Sequence, residues 1–172
     1  MGILNIFSAF WKKDWENVTP AFREKLRQFL GEEIYNKLDQ MVRDYHLFER
    51  VYLGSGDDMH EFARFLNQAA NLLSAKNYPI SKSEFLWKCS IMISDSLNGS
   101  HTNLAILYFE TNCRDEARKE ALTALEILDY YKEHIDDKNI RKKTIGLAEI
   151  GTKPGAVETI RSLLQEILQQ SE

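Results

Sequence analysis

Proline and glycine are scarce, with 3 Pro and 8 Gly in 172 residues. These are the residues that interrupt helices, so their scarcity leaves room for long ones. Cysteine is scarcer still. Cys89 and Cys113 lie 24 residues apart with no CxxC spacing, which offers no disulfide framework and points to reduced, semi-buried thiols. An excess of positive charge is missing too. The net charge is -4, and the 28% of charged residues are of mixed sign. Nucleic acid is therefore not an expected partner, because a phosphate-binding surface needs a basic excess to displace counterions. No apolar run reaches the roughly 18 residues of a membrane span. No basic segment leads into an apolar run with a small-residue cleavage site, so a reducing cytoplasm is the expected location. No segment alternates with period two in Val, Ile and Thr, so no strand is expected and the fold class is all-α.

What is present is helical periodicity. Near the N-terminus Ile3, Phe7, Phe10 and Trp11 recur at helical spacing, with Trp15 one turn further on. A first helix docked on the body explains this stripe. The functional alternative is a homodimer or membrane-surface contact through Phe7, Phe10, Trp11 and Trp15. Thr19-Pro20 reads as a helix start and Gly31 as its end. A long segment follows, with Ile34, Leu38, Met41, Val42, Tyr45 and Phe48 at steps of three and four. The stretch Leu53 to Asp58 reads as a loop ending in an acidic helix cap. Residues 1–53 are expected to form an N-terminal helical cap, and residues 57–172 three helix pairs that join it in one compact unit. The pairs are Met59 to Ala75 with Lys82 to Leu97, His101 to Thr111 with Asp115 to His134, and Asn139 to Ile150 with Gly155 to Gln170.

The middle pair carries Leu104-Ala105, Tyr108, Ala117, Ala121 and Ala124. This resembles the tetratricopeptide repeat, W-x2-L-G-x2-Y followed by A-x3-F-x2-A, with His101 where Trp is usual. A weaker copy lies 36 residues upstream at Phe65, Ala69, Leu72, Ser81 and Phe85, with Gln68 at the Leu position. Another lies 39 residues downstream at Ile140, Thr144, Leu147, Ala156, Ile160 and Leu163. The resemblance implies antiparallel helix pairs stacked as a short α-solenoid whose first helices line a concave groove. It implies that Leu66, Ala70, Thr102, Asn103, Ile106, Phe109, Arg141 and Ile145 face that groove. Some family members hold a peptide carboxylate there with Lys, Asn and Arg. Asn103 and Arg141 match parts of that clamp, but Leu66 and Ala70 stand where Lys and Asn are needed. The implied groove is apolar and suits an amphipathic helix or an extended apolar segment of a partner. The alternative is that the C-terminal helix, Ala156 to Leu168, or the N-terminal aromatic stripe fills it in cis.

No constellation supports catalysis. The histidines His46, His60, His101 and His134 lack a metal-site neighbour at helical spacing, apart from Asp57 before His60, which reads as part of a cap. There is no phosphate loop and no nucleophile elbow. No metal and no cofactor are expected. The reading that remains is a non-catalytic adaptor or chaperone-like module that binds a protein or peptide. The alternatives are an immunity-type inhibitor that covers a partner's active site, a homo-oligomeric scaffold, and an enzyme whose site assembles across space.

Overall fold

The computed structural model describes residue 15 and residues 18–50, 58–96, 98–134 and 155–171. The described residues form helices joined by turns, with no strand among them. The chain divides into two compact units, Met1–Ile93 and Ser94–Glu172. The boundary falls inside the stretch that the repeat spacing groups together.

In the first unit, α1 is Pro20–Leu30 and α2 is Glu32–Asp44. Thr19 caps α1, its hydroxyl accepting from the Phe22 amide at 3.3 Å. Gly31 separates the two helices at φ 80, a value that suits a residue without Cβ. The long segment expected to run on to Phe48 is broken. His46 sits at φ 49, and the short helix α3, Leu47–Arg50, starts after it. Periodicity alone does not show this break, because the apolar positions stay in step across it.

Helices α4, Met59–Ala75, and α5, Ile80–Ile93, form an antiparallel hairpin. Asp58 caps α4 by accepting from the Glu61 amide at 3.0 Å. Helix α4 buries Phe62, Ala63, Phe65, Leu66, Ala69, Ala70 and Leu73. The rings of Trp15, Phe22, Phe48, Phe62 and Phe65 form one cluster with centroids 4.6 to 5.8 Å apart. The hairpin is also tied by two serines. Ser83 donates to the Ala70 carbonyl at 2.9 Å and Ser90 to the Ala63 carbonyl at 2.8 Å. Alanine on one helix and serine on the other let the backbones approach within reach of these bonds.

In the second unit, α6 is Asn98–Glu110, α7 is Arg114–Glu133 and α8 is Ala156–Gln170. Helix α5 stops at Ile93, short of the expected Leu97, and α6 starts at Asn98. The chain turns between them, and the turn's carbonyls are taken by side chains of the second unit. Tyr131 donates its hydroxyl to the Ser96 carbonyl at 2.8 Å, and His101 donates through Nε2 to the Asp95 carbonyl at 3.1 Å. The core here is small-sided: Ala105, Ala117, Ala121 and Ala124 are fully buried, joined by Leu128 and, from α8, Leu164 and Ile167. Leu163, the last residue of the downstream repeat copy, is 38% exposed. No described helix is long and apolar enough to cross a membrane.

Candidate partner-binding surface

The two hairpins close in the same way. Asn77 and Asn112 both adopt positive φ, at 56 and 62. In each turn an amide reaches back five residues, Tyr78 to the Leu73 carbonyl at 3.1 Å and Cys113 to the Tyr108 carbonyl at 2.8 Å. Asn takes the role often filled by Gly, because its short polar side chain tolerates the left-handed region. Asn112 follows Asn77 by 35 residues, one fewer than the offset read from the sequence. The burial pattern agrees with 35. Ala70, Leu86, Cys89 and Ile93 correspond to Ala105, Ala121, Ala124 and Leu128, and all eight are buried.

This one-residue shift changes which residues of α4 face outward. Leu66 and Ala70 are both 0% exposed and belong to the core of the first unit. The counterparts of Asn103, Ile106 and Phe109 are Gln68, Asn71 and Ser74. Gln68 and Asn71 are exposed and Ser74 is half-buried. Asn71 accepts from Trp87 Nε1 at 3.0 Å. The outward strip of α4 is therefore polar. The signal that locates it is Asn77 read as the end of a helix, which fixes the alignment from the turn rather than from the apolar pattern.

On α6 the expected residues separate into two groups. Thr102 is 7% exposed, and its hydroxyl donates to Asn98 Oδ1 at 3.3 Å. Asn98, 5% exposed, in turn donates to the Ala124 carbonyl at 2.7 Å. Thr102 thus serves the α6–α7 contact. Its neighbour His101, 5% exposed, places Nδ1 2.6 Å from Glu120 Oε2 and so links α6 to α7 as well. Asn103, Ile106 and Phe109 remain half-buried. They recur every three residues, which keeps them on one helix face. Ile106 and Phe109 lean on the alanine core from its edge, and the Arg114 guanidinium lies 4.2 Å from the Phe109 ring centroid.

Arg141 and Ile145, and Phe7, Phe10 and Trp11, lie outside the described residues. Trp15 is described and is 3% exposed, its ring set against Phe48 and Phe62. Its indole N–H donates to the Asp39 carboxylate. Burial works to raise the Asp39 pKa, but hydrogen bonds from Arg43 and Trp15 outweigh it and hold the carboxyl below its usual range. Cys89 is buried and its thiol is pushed up to about 12 by burial, which removes it as a nucleophile at neutral pH. Cys113 is free and exposed. Among the described residues no group of His, Cys, Asp and Glu is placed to hold a metal ion. No protein family, curated protein or solved structure matches the chain.

Proposed function

We propose that this is a non-catalytic protein-binding module, built as a short tetratricopeptide-like stack, that receives a partner segment along α6. The observation that carries this reading is the half-buried strip Asn103, Ile106 and Phe109 on a helix whose other side is committed to the core. A strip of this kind offers apolar area beside a polar amide, which suits an amphipathic or extended segment. The repeat reading is supported by the shared 35-residue offset of turns and buried positions. It is also supported by the signature residues Leu104, Ala105, Ala117, Ala121 and Ala124, each no more than 1% exposed. The two free thiols fit a reducing, cytoplasmic setting.

The test is affinity capture from native lysate with wild type beside an Ile106→Glu, Phe109→Glu double variant of unchanged helicity. A partner kept by wild type and lost by the folded variant supports the α6 strip. A partner held equally by both moves the contact elsewhere and overturns this site.

A further inference from the structure

Helix α8 buries fewer of its residues than any other long helix described. Of its 15 residues only Leu164 and Ile167 are buried. Its start is Gly155 at φ 84, with no side-chain hydrogen bond capping it, as at Gly31 before α2 and Cys113 before α7. Among the described residues, its polar tie to the α6–α7 hairpin is Arg161 to Asp129 at 2.6 Å, an ion pair whose aspartate side chain is 55% exposed. Such pairs contribute little to attachment. Leu164 and Ile167 join a cluster of Ala105, Ala117, Ala121, Ala124 and Leu128, with Ile106, Tyr108, Phe109 and Leu125 packed against it, and the four alanines keep this seat shallow. The hairpin also holds itself closed without α8. Asn98 to Ala124, His101 to Glu120 and Tyr131 to Ser96 all run within α6, α7 and the turn before them.

We infer that α8 is a displaceable occupant of this alanine seat, and that the seat takes an amphipathic helix from a partner in its place. This rests on α6 being the binding helix, since Ile106 and Phe109 border the same seat. The occupant's chemistry is read from α8 itself. Val157, Ile160, Leu164, Ile167 and Leu168 form its apolar stripe, and Arg161 on the flank meets Asp129. The partner helix therefore carries apolar residues at steps of three and four with a basic residue at the edge, opposite Asp129. Binding is then a competition, and the partner's apparent affinity is lowered by the fraction of time that α8 is seated.

Native-state hydrogen exchange on the full wild-type chain tests the release. The α8 amides are expected to exchange at least tenfold faster than the core amides of α6 and α7, through an opening that leaves the hairpin protected. Exchange of all three helices in one step overturns the inference. The seat is tested with a fluorescent peptide of residues 155–171 as the probe. It is added to wild type and to a full-length Leu164→Glu, Ile167→Glu variant of retained helicity. Saturable binding to the variant, at least tenfold weaker on wild type and absent for a peptide carrying the same two glutamates, supports it. No binding to the folded variant overturns it. A variant that loses helicity leaves the decision to the exchange order in wild type. Concentration-dependent dimers of wild type that trap α8 of one copy on another would overturn the partner assignment in favour of a second copy. The exchange order is independent of the lysate experiment, so failure of the seat and failure of the α6 strip are told apart.

Discussion

The two hairpins solve the same packing problem with different side-chain volumes. The α4–α5 hairpin sits beside an aromatic cluster and uses Leu86, Cys89 and Ile93 where α6–α7 has Ala121, Ala124 and Leu128. Both bring backbones close enough for side chains to reach helical carbonyls across the pair. The first adds rings and larger side chains where the second has alanines. Rings and leucines gain stability from the apolar area they remove from water, about 25 cal/mol per Å². Alanine pairs bury little area each, but they bring backbones near enough for cross-helix hydrogen bonds such as Asn98 to the Ala124 carbonyl. The lesson is that the first unit should fail through holes and the second through crowding.

The largest expected effect is a hole. Phe62, 0% exposed and in contact with the rings of Trp15, Phe22 and Phe65, should cost about 3–5 kcal/mol as Phe62→Ala. Urea unfolding reads this, and a loss below about 1 kcal/mol would break the contrast. Next is crowding. Ala121→Leu gives the second unit the side chain that the first already carries at Leu86, and it should cost about 1–3 kcal/mol because no space is reserved for it. If it stabilises instead, the close approach of α6 and α7 is not what the alanines are for.

A third difference is titratable. Cys89 occupies the place of Ala124, and its thiol is raised from 9.0 to about 12 by burial. Between these values the unfolded chain releases a proton that the folded chain keeps. Stability is therefore complete below pH 9 and falls as pH rises towards 12, by up to about 1.4 kcal/mol per pH unit. Cys89→Ala should flatten that slope in a denaturation series across the alkaline range. Tyr35 and Tyr131, both raised first by burial, add losses of the same sign in the two units. The smallest effect is Ser90→Ala, which removes one donor to a helical carbonyl and should cost about 0.5–1.5 kcal/mol. Thermal melts of this variant beside Phe62→Ala rank hydrogen bonding against volume in one hairpin.

Much of the fold is legible in the sequence, for identifiable reasons. Thr19-Pro20 and Gly31 bound α1 because caps and breakers are local chemistry. Met59–Ala75 is read to the residue because a long apolar stripe begins there on an acidic cap. The break at His46 is not legible, since a His at positive φ leaves no mark on periodicity. Nor is the end of α5, which is set by Tyr131 and His101 reaching back to carbonyls at positions 96 and 95. The outward strip of α6 is partly legible. Asn103, Ile106 and Phe109 are half-buried, while Thr102 is drawn inward by Asn98, a buried side chain that apolar patterning passes over. On α4 a slip of one residue in the repeat alignment picks Leu66 and Ala70 instead of the polar Gln68 and Asn71, because degenerate apolar patterns fit two neighbouring offsets almost equally well.

Ser83 and Ser90 stand seven residues apart, as do their acceptors Ala70 and Ala63. Two full turns separate them, so both serines point at the same seam. A single residue inserted between them would swing Ser90 about 100° around the helix, away from its carbonyl. A residue added to the turn at Asn77 to Pro79 would leave the seven-residue spacing on each helix intact. Length variation among descendants of this chain should therefore collect in the turn and be purged from the helix. The spacing of two hydroxyls makes the middle of α5 intolerant of insertions and deletions, even where it tolerates changes of side chain.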